Sequence, residues 1–200
     1  MFGELQEQRL TAVVAVLRQH AAQRVIDLGC GSGTLLSMLS DDPQFTELVG
    51  VEQSPEALAV ARRTLTAGQR LDAAQRVRLL AANYQDLDPS MQHFDAALMI
   101  ETIEHNPPQQ LDQVAQAVFQ RLAPHMVIMT TPNGAYNPCY GLAPGEFRDP
   151  DHYFEWDTAR FRKWCRQVAQ RFGYQARFRD IGDADPEYGA PTQMAVFRRD

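Results

Sequence analysis

The sequence predicts an α/β fold: a doubly wound, mostly parallel sheet of seven strands with helices on both faces and an antiparallel hairpin at one edge. Three observations carry this. Five short apolar strands alternate with helical segments. The first strand runs into a turn with glycine at every second position, and polar or acidic residues mark the ends of the strands that follow. Two β-rich segments close the chain without a helix between them, which reads as the hairpin.

At 200 residues the chain fits a single domain, 1–200, with a sizeable core. Hydrophobic content of 44% and charged content of 22% are those of an ordinary globular protein. A net charge of −6 and a pI near 5.3 argue against a protein that coats nucleic acid through bulk charge. They leave room for one that holds a single nucleic-acid end in a local pocket. Cys30, Cys139 and Cys165 are too few and too scattered for a disulfide scaffold, so a reducing, cytoplasmic compartment is expected. No run approaches the ~18 apolar residues of a membrane span, and the N-terminus does not read as a signal peptide.

Residues 3–20 place Leu5, Leu10, Val13, Val14 and Leu17 at helical spacing, a lead-in helix that packs on a sheet edge or covers a ligand. The first strand, 24–28, enters Asp27-Leu28-Gly29-Cys30-Gly31-Ser32-Gly33, and a helix starts near Thr34. Glycines are needed where the backbone turns sharply and where a ligand must come close. Their spacing differs from the dinucleotide fingerprint, which argues against a nicotinamide dehydrogenase. The second strand, 48–52, ends in Glu52, an acid placed to accept hydrogen bonds from nucleoside ribose hydroxyls. Ser54-Pro55-Glu56 opens the next helix. The third strand, 77–82, ends in Asn83-Tyr84, where a polar side chain reaches an adenine edge, and the loop 85–89 follows.

The fourth strand, 95–100, leads into Glu101-Thr102-Ile103-Glu104-His105. If the chain turns helically past Ile100, Glu101, Glu104 and His105 fall at i, i+3 and i+4 and share one face. Two carboxylates and an imidazole make half or more of a divalent-metal shell. The alternative is a charged first turn of a helix, where Glu is favoured by the dipole. After Pro107-Pro108, a helix over 109–122 aligns Leu111, Val114, Val118 and Leu122. The fifth strand, 126–130, gives way to the turn-rich 131–137 and a loop over 138–151, long enough to mark function. Asp157 or Thr158 caps a helix carrying Phe161, Trp164, Val168 and Phe172, and strands over 175–181 and 193–198 finish the chain. All the marked residues lie at the carboxyl ends of the strands, where doubly wound sheets bind ligands.

The Asp27–Gly33 motif with Glu52 resembles the Rossmann-like class I S-adenosylmethionine-dependent methyltransferases. The resemblance implies that Asp27, Gly29, Gly31 and Gly33 face the methionine part of S-adenosylmethionine, that Glu52 holds its ribose, and that Asn83 lies near its adenine. Glu101-x-x-Glu104-His105, Thr131-Pro132-Asn133-x-x-Tyr136-Asn137 and Asp151-His152-x-Phe154-Glu155-Trp156, in that order, resemble the Hua-enhancer family of small-RNA 3′-terminal 2′-O-methyltransferases. That family holds a divalent ion with two Glu and two His, which here implies Glu101, Glu104, His105 and His152 as metal ligands and catalytic residues. Carboxylates suit Mg²⁺, while two imidazoles favour Mn²⁺, Co²⁺ or Fe²⁺. Such an ion, bound to the 2′- and 3′-hydroxyls, lowers the pKa of the nucleophile and selects a terminal cis-diol. The family commonly carries a further His before the Asp-His pair, and here Arg148-Asp149-Pro150 stands in its place.

Asn133, Tyr136 and Arg148 are the expected substrate contacts. Phe154 and Trp156 either stack on the terminal base or belong to the core, with core favoured for Trp156. Arg160, Arg162, Lys163 and Arg166 either meet RNA phosphates or form a solvated helix face. The expected partners are an RNA 3′ end and a repair or small-RNA-pathway protein, with no membrane. A metal-dependent small-molecule O-methyltransferase, acting for example on a catechol, is the alternative.

Overall fold

The computed structural model describes residues 2–67, 76–88 and 91–199. Its order is α1 (Phe2–Gln19), β1 (Arg24–Leu28), α2 (Thr34–Ser40), β2 (Glu47–Glu52), α3 (Pro55–Ala67), β3 (Val77–Ala81), β4 (Ala96–Ile100), α4 (Leu111–Ala115), β5 (Met126–Pro132), α5 (Thr158–Phe172), β6 (Gln175–Ile181) and β7 (Thr192–Arg198). The seven strands form one sheet in the order β3-β2-β1-β4-β5-β7-β6. β1 to β5 run parallel, and β7 inserts antiparallel between β5 and β6. The C-terminal hairpin is therefore at the edge as expected, with β6 outermost. Pro89, the end of the expected 85–89 loop, lies outside the described residues.

Strand residues alternate between two cores, as a period of two requires. Ile26, Leu28, Val49, Val51, Met99 and Val127 face one side with α4 and α5 residues such as Val114 and Phe161. Val25, Leu48, Leu98 and Ile128 face the other with Leu10, Val13 and Leu17 of α1 and Leu36 and Leu39 of α2. The lead-in helix thus packs on the sheet through its apolar stripe, reaching Ile181, Met194 and Val196 of the hairpin.

Local signals set the element ends. Ser54 Oγ accepts from the Ala57 N–H (3.2 Å), with Pro55 in the first turn of α3. Asp157, not Thr158, caps α5 by accepting from the Arg160 N–H at 2.8 Å. The helix expected over 109–122 is composite. A 3₁₀ turn at Pro108–Gln110 leads into α4, and Gln116–Leu122 continues it as a π-helix. Leu111, Val114, Val118 and Leu122 are buried all the same. The segment after β5 is less of a loop than expected, since Gly134–Tyr140 winds as a 3₁₀ helix. No helix among the described residues is long and apolar enough to cross a membrane.

Gly50 is fixed by packing rather than by its backbone angle. A Cβ on Gly50 would stand 2.5 Å from Leu36 Cδ1 and 2.8 Å from both Cys30 Sγ and Leu79 Cδ2. Gly50→Ala should destabilise the chain by about 2 kcal/mol, read as a lower midpoint in urea, and an unchanged midpoint would contradict this packing.

Candidate active site

β1 ends in a loop that only glycine builds without strain: φ is +82° at Gly29, +51° at Gly31 and +73° at Gly33. The Gly29 and Cys30 N–H groups donate to the Val51 carbonyl at 2.8 and 3.0 Å, fastening the loop to β2. A Cβ on Gly29 would meet Thr102 Cγ2 at 3.1 Å, and one on Gly33 would meet Ala61 Cα at 3.1 Å. Gly29, Gly31, Glu52, Asn83, Glu101 and His105 are among the residues lining a cavity of about 340 Å³. Glu52 braces the loop, accepting from the Gly31 N–H (3.1 Å) and the Ser54 N–H (2.8 Å). Asn83 caps the turn Tyr84–Asp86 by accepting from the Gln85 N–H at 2.9 Å.

Asp27 and Gly33 do not line the cavity. Asp27 is buried, and burial, followed by the neighbouring Glu52 charge, pushes its carboxyl up to about 7.

Past β4 the chain does not turn helically at once. The Glu101 N–H donates to the Thr130 carbonyl at 3.0 Å, carrying sheet pairing one residue beyond Ile100. Glu101 has φ +51°, Thr102 lies outside the helical region at φ −128°, and only Ile103–His105 forms a 3₁₀ turn. Glu101, Glu104 and His105 therefore do not share a helical face. Glu101 Oε1 accepts from Thr130 Oγ1 (2.9 Å), and its Oε2 pairs with Arg9 Nη1 of α1 (3.2 Å).

Glu104, His105 and His152 do converge, each offering a ligand atom within 4.8 Å of the others. The two imidazoles meet edge to face at 4.7 Å between centroids. Glu104 is fully buried. Its Oε2 accepts from Thr131 Oγ1 at 2.9 Å, while its Oε1 has no partner. Burial, and then the Glu101 charge, raises its carboxyl well above the usual range. The Glu104 carbonyl accepts from the Tyr153 N–H at 2.8 Å, which brings the long loop, and His152 with it, to the end of β4.

His152 is aimed by a residue that the sequence reading left without a role. Its Nδ1 donates to Glu155 Oε1 at 2.6 Å, leaving Nε2 for the Glu104–His105 side. Burial alone would raise the Glu155 carboxyl. Hydrogen bonds from His152, Asn137 Nδ2 (2.6 Å) and the Arg148 N–H (2.8 Å) outweigh it and hold the group low, hence ionised. The available signal was an acid three residues after a histidine with the look of a metal ligand.

This donor set fits a divalent ion. A carboxylate with an unpartnered buried oxygen and two oriented imidazoles suits Mn²⁺ or a similar first-row metal.

The expected substrate contacts are held by the chain itself. The Asn133 amide donates to the Tyr188 and Ala190 carbonyls, both at 2.9 Å, and accepts from the Ala135 N–H. Arg148 donates to Asn137 Oδ1 (2.8 Å) and to the Pro191 and Asn133 carbonyls (2.8 and 2.6 Å). Both are built into the loop rather than offered to a ligand, whereas Tyr136 is half-buried beside Tyr140. Phe154 and Trp156 are buried and stack on each other at 4.3 Å, so both belong to the core. Arg160 lies over Trp156, and Arg162 and Arg166 lie over Phe178.

A model of the methyltransferase domain matches residues 25–125. The chain is 34% identical to the small RNA 2′-O-methyltransferase of Gallus gallus over 96% of its own length and 53% of the relative's. It thus spans about half of that relative, and 23% of a 29% identical Arabidopsis thaliana protein of the same name. Among solved structures, the methyltransferase domain of the bacterial CtHen1 shares 39% identity at a TM-score of 0.87, covering 97% of this chain and 99% of that one. The small RNA methyltransferase HEN1 shares 30% at a TM-score of 0.89, with 98% and 26% covered.

The raised Asp27 carboxyl makes stability depend on pH. Between its unfolded value of 3.8 and about 7, the folded chain binds a proton that the unfolded chain releases. The associated stability is present below that window and lost as pH rises through it, by up to about 4 kcal/mol. Asp27→Asn should flatten this slope in urea denaturation followed from about pH 4 to 7, and parallel slopes for the two proteins would contradict it.

Proposed function

We propose, for a chain that belongs to the HEN1 family of methyltransferase domains, that it acts as one such domain, moving a methyl group from S-adenosylmethionine to the 2′-hydroxyl of an RNA 3′-terminal ribose. One observation supports this above the rest: His105 both lines the glycine-floored cavity and belongs to the Glu104–His105–His152 group. A methyl donor in the cavity and an oxygen at that group are then neighbours, which is the proximity a displacement needs.

S-adenosylmethionine supplies an activated methyl on a positively charged sulfur. Gly29 and Gly31 would give it backbone room, and Glu52 and Asn83 would meet its nucleoside, while the buried Asp27 stands off the cavity lining. Glu104, His105 and His152 would hold a divalent ion, and Glu101, at present paired with Arg9, would offer a fourth carboxylate ligand. That ion supplies Lewis acidity, which lowers the pKa of a bound hydroxyl and orients a cis-diol. Glu155 keeps the His152 Nε2 turned inward throughout. The selection of RNA rests with segments or partner proteins beyond this chain, a repair or small-RNA-pathway protein among them.

The test is methyl transfer from labelled S-adenosylmethionine to three matched RNAs ending in a free 2′,3′-diol, a 2′-deoxy residue or a 3′-phosphate. Label should enter only the diol, vanish with EDTA, return with Mn²⁺, and fall by about 100-fold or more in Glu104→Gln. Label that ignores the terminus or the chelator, or transfer to a catechol with none to RNA, would overturn the reading.

A further inference from the structure

Basic charge is segregated in this acidic chain. Residues 158–179 hold six arginines and one lysine and no acidic residue, against a net charge of −6 overall. On α5 several of these are engaged: Arg162 pairs with Asp180 and Arg171 with Asp112, while Arg160 lies over Trp156. The hairpin is different. Arg177 and Arg179 stand two apart on β6 and so share a face. Arg198 of β7 pairs in register with Gln175, which puts it on that face too. With Gln19 and His20 at the end of α1, these three arginines line a cleft of about 120 Å³.

Among the described residues none of the three has an ion pair, and the one polar contact is Arg179 Nη2 donating to Gln19 Oε1 at 3.4 Å. His20 senses all three: burial first, then Arg198, Arg179 and Arg177, lowers its pKa. Three like charges around one cleft repel one another, and an anion seated among them relieves that repulsion.

Resting on the reading above, we propose that this cleft binds backbone phosphates of the RNA whose 3′ end is methylated. The hairpin supplies the geometry. Thr192 pairs with Pro132, next to the Thr131 that holds Glu104. Six residues separate Thr192 from Arg198 along β7, or roughly 20 Å of strand. Arg177 and Arg179 are spaced by about 6.6 Å. The arginines therefore mark a line leading away from the catalytic edge. Arg179 and Arg177 lie opposite Met194 and Val196, nearer that edge, and a stacked strand rises about 3.4 Å per nucleotide, so the cleft meets RNA about two to six nucleotides from its end. Contacts of this kind position the backbone and carry no sequence preference.

The experiment compares the full chain with Arg177→Gln/Arg179→Gln/Arg198→Gln on RNAs of about 2 and about 20 nucleotides, lengths chosen to fall short of and pass the cleft. For the long RNA, KM should rise about tenfold with kcat unchanged, and the log–log salt slope of binding should shrink by about 2. The short RNA should be methylated equally by both proteins, and lysine at the three positions should restore the long-RNA KM. Unchanged KM for the long RNA, or equal losses at both lengths with a lower Tm, would overturn the proposal. If the wild-type chain methylates neither RNA, it is the methyltransferase reading that fails. Fluorescence anisotropy with the long RNA then judges the cleft by itself: weaker binding by the glutamine variant supports it, and equal binding overturns it.

Discussion

The Glu155 carboxylate is the interaction on which the site depends. Its side chain is wholly buried, yet it is ionised, because three donors converge on it from three points of the loop: Asn137, the Arg148 backbone and His152. A buried charge without such donors is not tolerated, so the carboxylate and the loop specify each other. Arg148 extends the network to Asn133 and Pro191. Gly134 packs so tightly on the same stretch that a Cβ there would reach within 2.2 Å of the Glu155 carbonyl oxygen. An irregular segment thereby gains the rigidity that a helix or strand would otherwise supply, and His152 inherits it.

The parallel sheet supplies the other half. β1, β2 and β4 end at the same edge, so the glycine loop, Glu52 and the Glu101–His105 turn all open on one cavity. β5 contributes two hydroxyls at that edge, Thr130 to Glu101 and Thr131 to Glu104. The two acids lie three residues apart but end in different environments: Glu104 is sealed beside two imidazoles, while Glu101 stands on the cavity wall against Arg9. In the proposed reaction the first would serve as a metal ligand where it stands and the second would be a further one, and in this structure Arg9 of α1 neutralises Glu101.

Much of this was legible in the residues because each signal had a backbone cause. Alternate glycines meant a sharp backbone turn, and all three carry the positive φ that such a turn takes. Ser54-Pro55 meant a helix start, and Asp157 or Thr158 a cap, which Asp157 makes. What misled was an assumption about local geometry. The i, i+3, i+4 spacing of Glu101, Glu104 and His105 suggested one helical face, but sheet pairing with β5 held Glu101 in the strand, a tertiary effect invisible in spacing. Asn133, in the turn-rich segment after β5, and Arg148, in the long loop, were expected to meet the substrate, and here both side chains are engaged within the chain. Their carbonyl partners, Tyr188, Ala190 and Pro191, come from a stretch far along the chain. The role of Glu155 was hidden for the same reason, since only the folded loop brings Asn137 and Arg148 to it.

The most direct test is the affinity of the chain for Mn²⁺ alone, measured by electron paramagnetic resonance for wild type and Glu155→Gln, with the Tm of each recorded alongside. A glutamine keeps the volume but loses the charge that fixes the His152 tautomer, so binding should weaken by about 10–100-fold in a protein that still folds. Equal affinity in the two folded proteins would contradict the account, since it would mean that His152 needs no aiming or is not a ligand.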